Sequence, residues 1–407
     1  MRSIGQLADF GRVRNSCSSL LMQPPDLAII VTSYQMPWHV RRVLESIAAQ
    51  RTRRRLEVVV ADDGSTDATA ELVSEFAARA PFPVQFITHP HVGFHAARCR
   101  NDGVRHSTAP HLLFVDGDCL LPPDHVEQHL SASRPGAVTC SYCVRLDHAV
   151  SQHATLEAVR GGKFVQWASR EQRGKLREMH FKSLWYSLIG HTTKPAFRSG
   201  DFALARSEFE RVNGFDEAYL GWGCEDDDFG RRLRSCGIQM VSVLNRTCVY
   251  HLWHPPAPTR PRAWKEGGNV PYLQRAIRLT RCISGLVPRT RRQLTVRLAD
   301  QVGGGDQLQS LLKVHGWVVD TSRRARTDLE LLCCPGRGQF TLCTDCRVLA
   351  CFDESLLQHV DSRAAQVVLS PSGRAGGNEQ FRLRLDDAEG LWAVLEGRDL
   401  APQRAAA

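Results

Sequence analysis

The 407-residue sequence has no long hydrophobic run. Its longest apolar stretches, Leu27 to Val31 and Leu56 to Ala61, are strand-sized or broken by charge, whereas a membrane-spanning helix needs about 18 apolar residues or more. Residues 1–25 carry three arginines but no continuous apolar core, so a secretory signal is not indicated. We therefore expect the chain to remain in the cytoplasm, where it is made.

Glycine-rich phosphate loops are also missing. No G-x-G-x-x-G follows the first apolar strand, which excludes the dinucleotide fingerprint, and no Walker loop occurs anywhere. A nucleotidyltransferase is one candidate function for the chain, but such an enzyme would need a glycine-rich, basic loop after the first strand. Any nucleotide site must therefore depend on other residues.

The 14 cysteines lack the regular spacing of a secreted disulfide framework, so reduced thiols are the simpler interpretation. The densest group comprises Cys333, Cys334, Cys343, Cys346 and Cys351. Adjacent Cys333 and Cys334 cannot easily bind the same tetrahedral ion. The sequence leaves a structural zinc and ordinary thiols both open, and it favours the thiols.

A net charge of +9 comes largely from two basic segments, residues 51–55 and 260–297. The simplest interpretation is a solvated basic face, and the second is a peripheral contact with the inner face of a membrane. A non-catalytic protein that binds polysaccharide or nucleic acid is a further alternative, supported only by these basic residues. We expect no nucleic-acid partner.

Apolar strands alternate with amphipathic helices over the first 120 residues. Strands are predicted at 27–34, 56–61, 84–87 and 112–115, with helices between them, which is the pattern of βαβ units and a mostly parallel sheet. The pattern becomes irregular after about residue 150, and prolines mark the end of this domain near residue 256. We predict an N-terminal extension (1–25), an α/β domain (26–256), a Pro/Arg-rich linker (257–290) and a small α+β module of unknown role (291–402).

Carboxylates follow the strand that ends at Val115. The Asp116-Gly117-Asp118 motif places two carboxylates one residue apart, and ligands bind at the carboxyl ends of strands in open α/β sheets. Such a pair can share a divalent cation that also holds a diphosphate, and hard oxygen ligands suit Mn²⁺ or Mg²⁺. Either His251 or His254, three residues apart after a later strand, is expected to complete the coordination.

A second acidic cluster, Glu225-Asp226-Asp227-Asp228, begins a predicted helix. Acidic residues are stabilised in the first turn of a helix, and Asp228 lies one turn before Arg232, so part of the cluster has a structural explanation. That explanation does not account for Trp222, which stands between two glycines just before it. An indole can support a sugar ring, and a neighbouring carboxylate can deprotonate the attacking hydroxyl.

These motifs resemble the inverting family 2 nucleotide-sugar glycosyltransferases of GT-A fold over residues 26–256. Three segments match that family in order and spacing: VVVADDGSTDATAELV, GFHAARCRNDGV and LLFVDGDCLLPPD. A fourth, SGDFALARSEFERVNGFDEAYLGWGCEDDDFGRRL, is similar to the acceptor-side segment of galactosyltransferases and N-acetylgalactosaminyltransferases. The sequence differs from the family at Asp201, where Asn is usual, and at Cys224, where glycine is common.

The resemblance implies a GT-A fold, in which a mostly parallel central sheet carries helices on both faces, and it implies the following roles. The nucleotide-sugar site comprises Thr32, Tyr34, Asp62, Arg100, Asn101, Asp116 and Gly200, with Asp62 reading uracil and Asp116 on the ribose. Asp118 and His251 bind the metal, Asp226 is the catalytic base, and Glu225 and Trp222 contact the acceptor. The expected reaction moves a hexose or N-acetylhexosamine from a UDP-sugar to a glycan or lipid-linked glycan.

Overall fold

A computed structural model describes residues 23–191, 193–257, 260–299, 310, 327–333, 344–351, 365–370, 372–373, 381–385 and 387–397. The strands are β1 (Leu27–Ser33), β2 (Leu56–Asp62), β3 (Val84–Thr88), β4 (His111–Asp116), β5 (Cys119–Leu120), β6 (Ala137–Cys140), β7 (Cys143–Arg145), β8 (Asp201–Ala205), β9 (Gln239–Ser242), β10 (Val249–His251), β11 (Val296–Ala299), β12 (Thr327–Cys333), β13 (Thr344–Ala350), β14 (Val367–Ser370) and β15 (Phe381–Arg384). The described α-helices are α1 (Pro37–Ala48), α2 (Thr69–Ala77), α3 (Ala96–His106), α4 (His125–Ala132), α5 (His148–Gln152), α6 (Leu156–Arg160), α7 (Arg170–Leu188), α8 (Arg206–Arg211), α9 (Glu225–Ser235), α10 (Val270–Leu273) and α11 (Ala388–Glu396).

The main sheet has seven strands in the order β3-β2-β1-β4-β8-β6-β9. The four strands predicted from the sequence are parallel to one another, as expected of consecutive βαβ units. Strand β8 runs antiparallel to both β4 and β6. This pairing sets Asp201 opposite Val115, next to the Asp116-Gly117-Asp118 loop.

Both faces of the main sheet are buried. Side chains alternate between the two faces of a strand, and in β1 Ile29 and Val31 join one hydrophobic core while Ala28 and Ile30 join another. Helix α1 packs in the first of these cores and α3 in the second. Covered faces explain why β1, β2 and β4 read as continuous apolar runs.

A three-stranded sheet, β5-β10-β7, lies beside the loop that leaves β4. In the antiparallel pair of β10 and β5, His251 stands opposite Cys119, and the backbone N–H of Leu252 donates to the Asp118 carbonyl at 2.8 Å. This small sheet therefore brings residues 251–254 to the second aspartate of the motif, although about 130 residues separate them in sequence.

The predicted small C-terminal module is present as a third sheet, of five strands, in which β11 to β15 lie in chain order and all run parallel. Its core also includes Ile277, Leu279 and Ile283, from the segment predicted as linker. The predicted domain boundaries remain predictions, but residues 269–289 make ordered contacts with the main domain, described below.

The predicted N-terminal extension lies outside the described residues up to residue 22, and Cys334 and Cys343 of the Cys333–Cys351 group are not described either. In the part of the chain that is described, no helix has the length and apolar character to cross a membrane. Asp67, which lies two residues before the start of α2, accepts a hydrogen bond from the Thr69 N–H at 3.0 Å.

Candidate active site

The end of β4 depends on two close approaches that only glycine permits. A Cβ at Gly117 would lie 2.5 Å from the Thr32 carbonyl oxygen, and one at Gly200 would lie 2.8 Å from Asp116 Oδ2. The Thr32 hydroxyl donates to Asp116 Oδ1 at 3.1 Å. Thr32, Asp116 and Gly200, all predicted from the sequence, therefore meet at one point, and Gly200 leaves the space that the Asp116 carboxylate needs.

Asp118 lies between two histidines. Its Oδ2 is 3.1 Å from His254 Nε2 and 3.5 Å from His251 Nε2, and the three groups could hold one metal ion. Burial would raise the pKa of Asp118, but the hydrogen bond from His254 and the charges of both histidines lower it to about 2. The carboxylate is thus ionised at neutral pH, as a metal ligand must be.

The donor set of this cluster fits a divalent cation. One carboxylate and two imidazoles converge within 4.8 Å, and each side chain is partly open to solvent, which leaves room for further oxygen ligands. Imidazole nitrogen suits Mn²⁺ better than Mg²⁺, which prefers oxygen alone. The sequence left open which of His251 and His254 would join Asp118. The structure brings both histidines to Asp118, so both could be ligands of one ion.

His39, on α1, is a neighbour of the cluster that sequence reasoning missed. Its Nε2 lies 3.1 Å from the Trp253 carbonyl, and its ring meets that of His254 edge-on at 6.1 Å. Burial lowers the pKa of His39, so it supports the cluster as a neutral side chain. Nothing in the local sequence marks it, since it is one of 16 histidines and 215 positions separate it from His254.

Arg100, from α3, joins the two acidic clusters. Its Nη2 is 3.1 Å from Asp116 Oδ1, and its Nη1 is 3.2 Å from Glu225 Oε1. The Arg100 side chain is 4% exposed, so the cation of both ion pairs is buried, while the Asp116 side chain is 36% exposed. The carboxylates of residues 116–118 and those that begin α9 therefore face one another across a single arginine.

Asp226 is in the first turn of α9 with an unusual electrostatic environment. Burial, reinforced by the charges of Glu225 and Asp227, raises the pKa of Asp226 from 3.8 to about 7. Its Oδ1 accepts the Asp227 N–H at 2.8 Å. A carboxylate with a pKa near neutrality can take up a proton during a reaction and release it afterwards.

The turn that carries Trp222 is built from left-handed residues. Gly221, Gly223 and Cys224 have φ of +84°, +91° and +78°. The Asn269 side chain donates to the Gly223 carbonyl at 2.9 Å, so a residue from the predicted linker holds this turn. Cys224, where the family has glycine, adopts the strained conformation that glycine would adopt freely.

The remaining predicted residues have mostly internal partners. Asp62 is buried and accepts hydrogen bonds from the Ser65 N–H and hydroxyl, both at 2.6 Å, and from Thr88 at 3.0 Å. The Asn101 side-chain amide donates to the Phe215 carbonyl and to Glu217, and its oxygen accepts the Phe215 N–H. We therefore assign Asn101 a positioning role in place of the predicted contact with the nucleotide-sugar. The Tyr34 ring stacks on His91 at 4.3 Å.

Asp228 has the structural role that its helical spacing suggested. It is wholly buried and pairs with Arg232 at 2.6 Å, one turn later on α9. Arg275 and Arg278, from the predicted linker, approach its other oxygen at 3.4 and 3.0 Å. Burial would raise the pKa of Asp228, but the charges of the three arginines outweigh it and lower that pKa.

Comparison with known proteins places this geometry in context. Residues 28–190 match the family model described as Glycosyl transferase family 2, and residues 180–255 match the model described as N-terminal domain of galactosyltransferase. The chain is 30% identical over 237 residues to validoxylamine A glucosyltransferase of Streptomyces hygroscopicus subsp. jinggangensis, covering 53% of each protein. It is 25% identical over 257 residues to chondroitin synthase of Escherichia coli, covering 60% of this chain and 37% of that protein.

The chain thus spans about half the length of the first of these relatives and less of the second. Among solved structures, it is similar to the mannosyltransferase PcManGT of Pyrobaculum calidifontis in complex with GDP-Man and Mn²⁺, with 21% identity and a TM-score of 0.40 over 58% of this chain and 59% of that one.

Proposed function

We propose that the chain is an inverting glycosyltransferase of GT-A fold, which transfers a hexose or N-acetylhexosamine from a UDP-sugar to a hydroxyl of a glycan or lipid-linked glycan. The match of residues 28–190 to Glycosyl transferase family 2 and the match of residues 180–255 to the galactosyltransferase model support this proposal. The observation that carries the proposal is Arg100, whose guanidinium joins the donor-side Asp116 to the acceptor-side Glu225. Donor and acceptor groups would then share one cleft.

In the proposed reaction, Asp226 takes the proton of the acceptor hydroxyl as that oxygen forms a bond to the anomeric carbon. The bond from this carbon to the diphosphate breaks, and its electron pair leaves with UDP. A single in-line displacement inverts the anomeric centre. The raised pKa of Asp226 suits this role. A general base transfers a proton most effectively when its pKa is close to the working pH, here near 7.

The donor side would bind UDP through residues at the ends of β1, β2 and β4. Asp116 is the exposed carboxylate of the motif, with 36% of its side chain accessible, and it is available to a ribose hydroxyl. Mn²⁺ bound by Asp118, His251 and His254 would supply positive charge beside the diphosphate. Burial and three internal hydrogen bonds fix the orientation of Asp62, which would present its one remaining lone pair, on Oδ1, to uracil.

The acceptor would lie against Trp222 and Glu225. The Trp222 ring has the Arg260 guanidinium 5.4 Å from its centre and remains partly exposed. A partly exposed indole of this kind can stack on a sugar ring. A cytoplasmic location and a peripheral contact with the inner membrane face through the basic segments complete the proposal.

The deciding experiment compares wild type with Asp226→Asn. We expect the variant to lose about 10²–10⁴-fold in kcat, the usual contribution of a general base. UDP affinity, measured by calorimetry with Mn²⁺, should be nearly unchanged, because Asp226 lies on the acceptor side. Parallel loss of turnover and UDP binding would contradict the assigned role, and release of pyrophosphate in place of UDP would favour a nucleotidyltransferase.

The metal assignment has its own test. We expect Asp118→Ala to remove the Mn²⁺-dependent part of UDP binding, since the ionised carboxylate is central to the cluster. His153→Ala is the matched control, because His153 is exposed and lies outside the cluster. Full activity of Asp118→Ala would refute the assignment.

A further inference from the structure

A second group of side chains that could hold a metal ion lies in the protein interior, next to the candidate active site. It consists of His125 and His129, one turn apart on α4, and Asp201, the first residue of β8. The side chains are at most 1% exposed, unlike those of the Asp118 cluster. No role in sugar transfer requires them.

The distances match tetrahedral coordination. His125 Nε2 lies 3.0 Å from Asp201 Oδ1, and His129 Nε2 lies 3.4 Å from the same oxygen. Ligand atoms about 2.0–2.2 Å from a tetrahedral ion are on the order of 3.3–3.6 Å apart. The side chains would therefore need only small shifts to accept an ion between them.

The hydrogen bonds around His129 leave its Nε2 facing the carboxylate as an acceptor. The Thr139 hydroxyl donates its hydrogen to the Ala203 carbonyl at 3.1 Å, so towards His129 Nδ1, at 2.8 Å, it can only accept. The proton of a neutral His129 is consequently on Nδ1. Two electron-rich atoms, His129 Nε2 and Asp201 Oδ1, then face each other, and a bound cation between them would relieve their repulsion.

Two polar atoms of this group are buried without a hydrogen bond from any described residue: His129 Nε2 and Asp201 Oδ2. Leaving such atoms unpaired in a protein interior is unfavourable. A bound ion would satisfy both, with Asp201 contributing both oxygens. His125 has a matching outer partner, because its Nδ1 lies 2.7 Å from the Thr247 hydroxyl.

We propose that His125, His129 and Asp201 bind a structural zinc ion. Two imidazoles and a carboxylate are typical zinc ligands, and outer hydroxyls that orient the rings are typical of zinc sites. The closed, buried position indicates a structural role, since a catalytic zinc keeps one coordination position open to substrate. The ion gives a reason for Asp201 where the family more often has Asn.

The ion would stabilise the backbone behind the donor site. Asp201 follows Gly200, whose carbonyl accepts the Asp116 N–H at 3.3 Å, while the Asp201 carbonyl accepts the Ser141 N–H at 3.1 Å. Zinc at this position would tie α4 to β8 and to Thr247, just before β10. It would thereby hold Gly200 against Asp116 without contacting the substrate.

The test is the metal content of the full-length protein, purified without added metal and desalted in the presence of a mild chelator, by mass spectrometry. We expect about one zinc per wild-type chain, and a loss of at least tenfold in Asp201→Asn and in His129→Gln. His254→Ala should retain its zinc, because it alters only the Asp118 cluster. Zinc absent from wild type, or lost from His254→Ala and kept by Asp201→Asn, would overturn the proposal.

A measurement on His254→Ala covers the case in which the other variants do not fold. In this variant the Asp118 cluster keeps only one imidazole, so after exchange for Co²⁺ X-ray absorption should still show two imidazole nitrogens with carboxylate oxygen in a four-coordinate shell. Chelation of this ion should lower Tm, and zinc should restore it. No cobalt uptake, or a six-coordinate shell of oxygens, would mean that the three side chains share only a proton.

Discussion

Asp226 shows how position changes the chemistry of one of four adjacent carboxylates. Glu225 faces Arg100 and Asp228 faces three arginines, whereas Asp226 is partly buried between like charges. Arg198 is the cation that partly offsets this effect. The same environment that raises the pKa of Asp226 therefore makes the activity sensitive to pH near neutrality.

We expect kcat/KM to rise with pH up to about 7, because Asp226 acts as a base only when deprotonated, and to level off above that value. Arg198→Gln should move the inflection to higher pH, since it removes a charge that lowers the pKa of Asp226. The measurement is a pH profile of turnover for both proteins.

Arg177→Gln is the matched control, because Arg177 is an exposed arginine on α7 and does not act on Asp226. Its inflection should coincide with that of wild type. An inflection in Arg198→Gln below that of wild type would contradict the assignment of the titrating group.

At the scale of the element, α9 has two functions. Its first residues, Glu225 and Asp226, are proposed to act on the acceptor, while Asp228 fixes the helix to the segment that carries Arg275 and Arg278. Arg232 adds hydrogen bonds to the carbonyls of Val212 and Gly214, both at 2.8 Å. A buried ion-pair network thus sets the position of the proposed base.

We expect Asp228→Asn to lower the free energy of unfolding by about 3–5 kcal/mol, because it leaves buried arginines without their anion. Asp227→Asn, on the partly exposed side of the same helix turn, should change it by about 0.5 kcal/mol or less. Urea denaturation of both variants at one pH provides the comparison. Equal losses would mean that Asp228 has no special structural role.

At the scale of the whole molecule, residues 269–289 connect the domain of the seven-stranded main sheet to the five-stranded C-terminal sheet. Asn213, with φ of +64°, donates to the carbonyls of Cys282 and Val287 and accepts the Val287 N–H. On the other side, Arg289 pairs with the buried Asp328 of β12 at 2.7 Å. These contacts predict that both sheets unfold together.

We expect one calorimetric transition for wild type. Asn213→Ala should lower stability by about 3 kcal/mol, since it removes three hydrogen bonds and places a Cβ residue without a polar side chain in a left-handed conformation. It should also separate the transition into two. Asn213→Gly loses the same hydrogen bonds without the backbone strain, so it should be less destabilised than Asn213→Ala. Two transitions already present in wild type would contradict the proposal that the two sheets unfold together.

Local pattern was enough to predict the first half of the main sheet. The apolar runs of β1, β2 and β4 lie between helices with a period of 3.6 residues, and both signals come from neighbouring residues in the chain. It was not enough for β8, because antiparallel pairing to β4 depends on contacts about 90 residues apart. The local sequence pattern also did not indicate that the short strands of the C-terminal module run parallel.

The sequence by itself determined which carboxylates are available for the proposed chemistry. Asp116, Asp118, Glu225 and Asp226 were identifiable because carboxylates at a strand end and at a helix start have recognisable local contexts. Only the tertiary structure decided how these groups act together. It placed Arg100 between the clusters, brought His251 and His254 to Asp118, joined residues 269–289 to Asp228, and buried His125 and His129 around Asp201. Such convergence follows from strand order and long-range packing, which no window of local sequence contains.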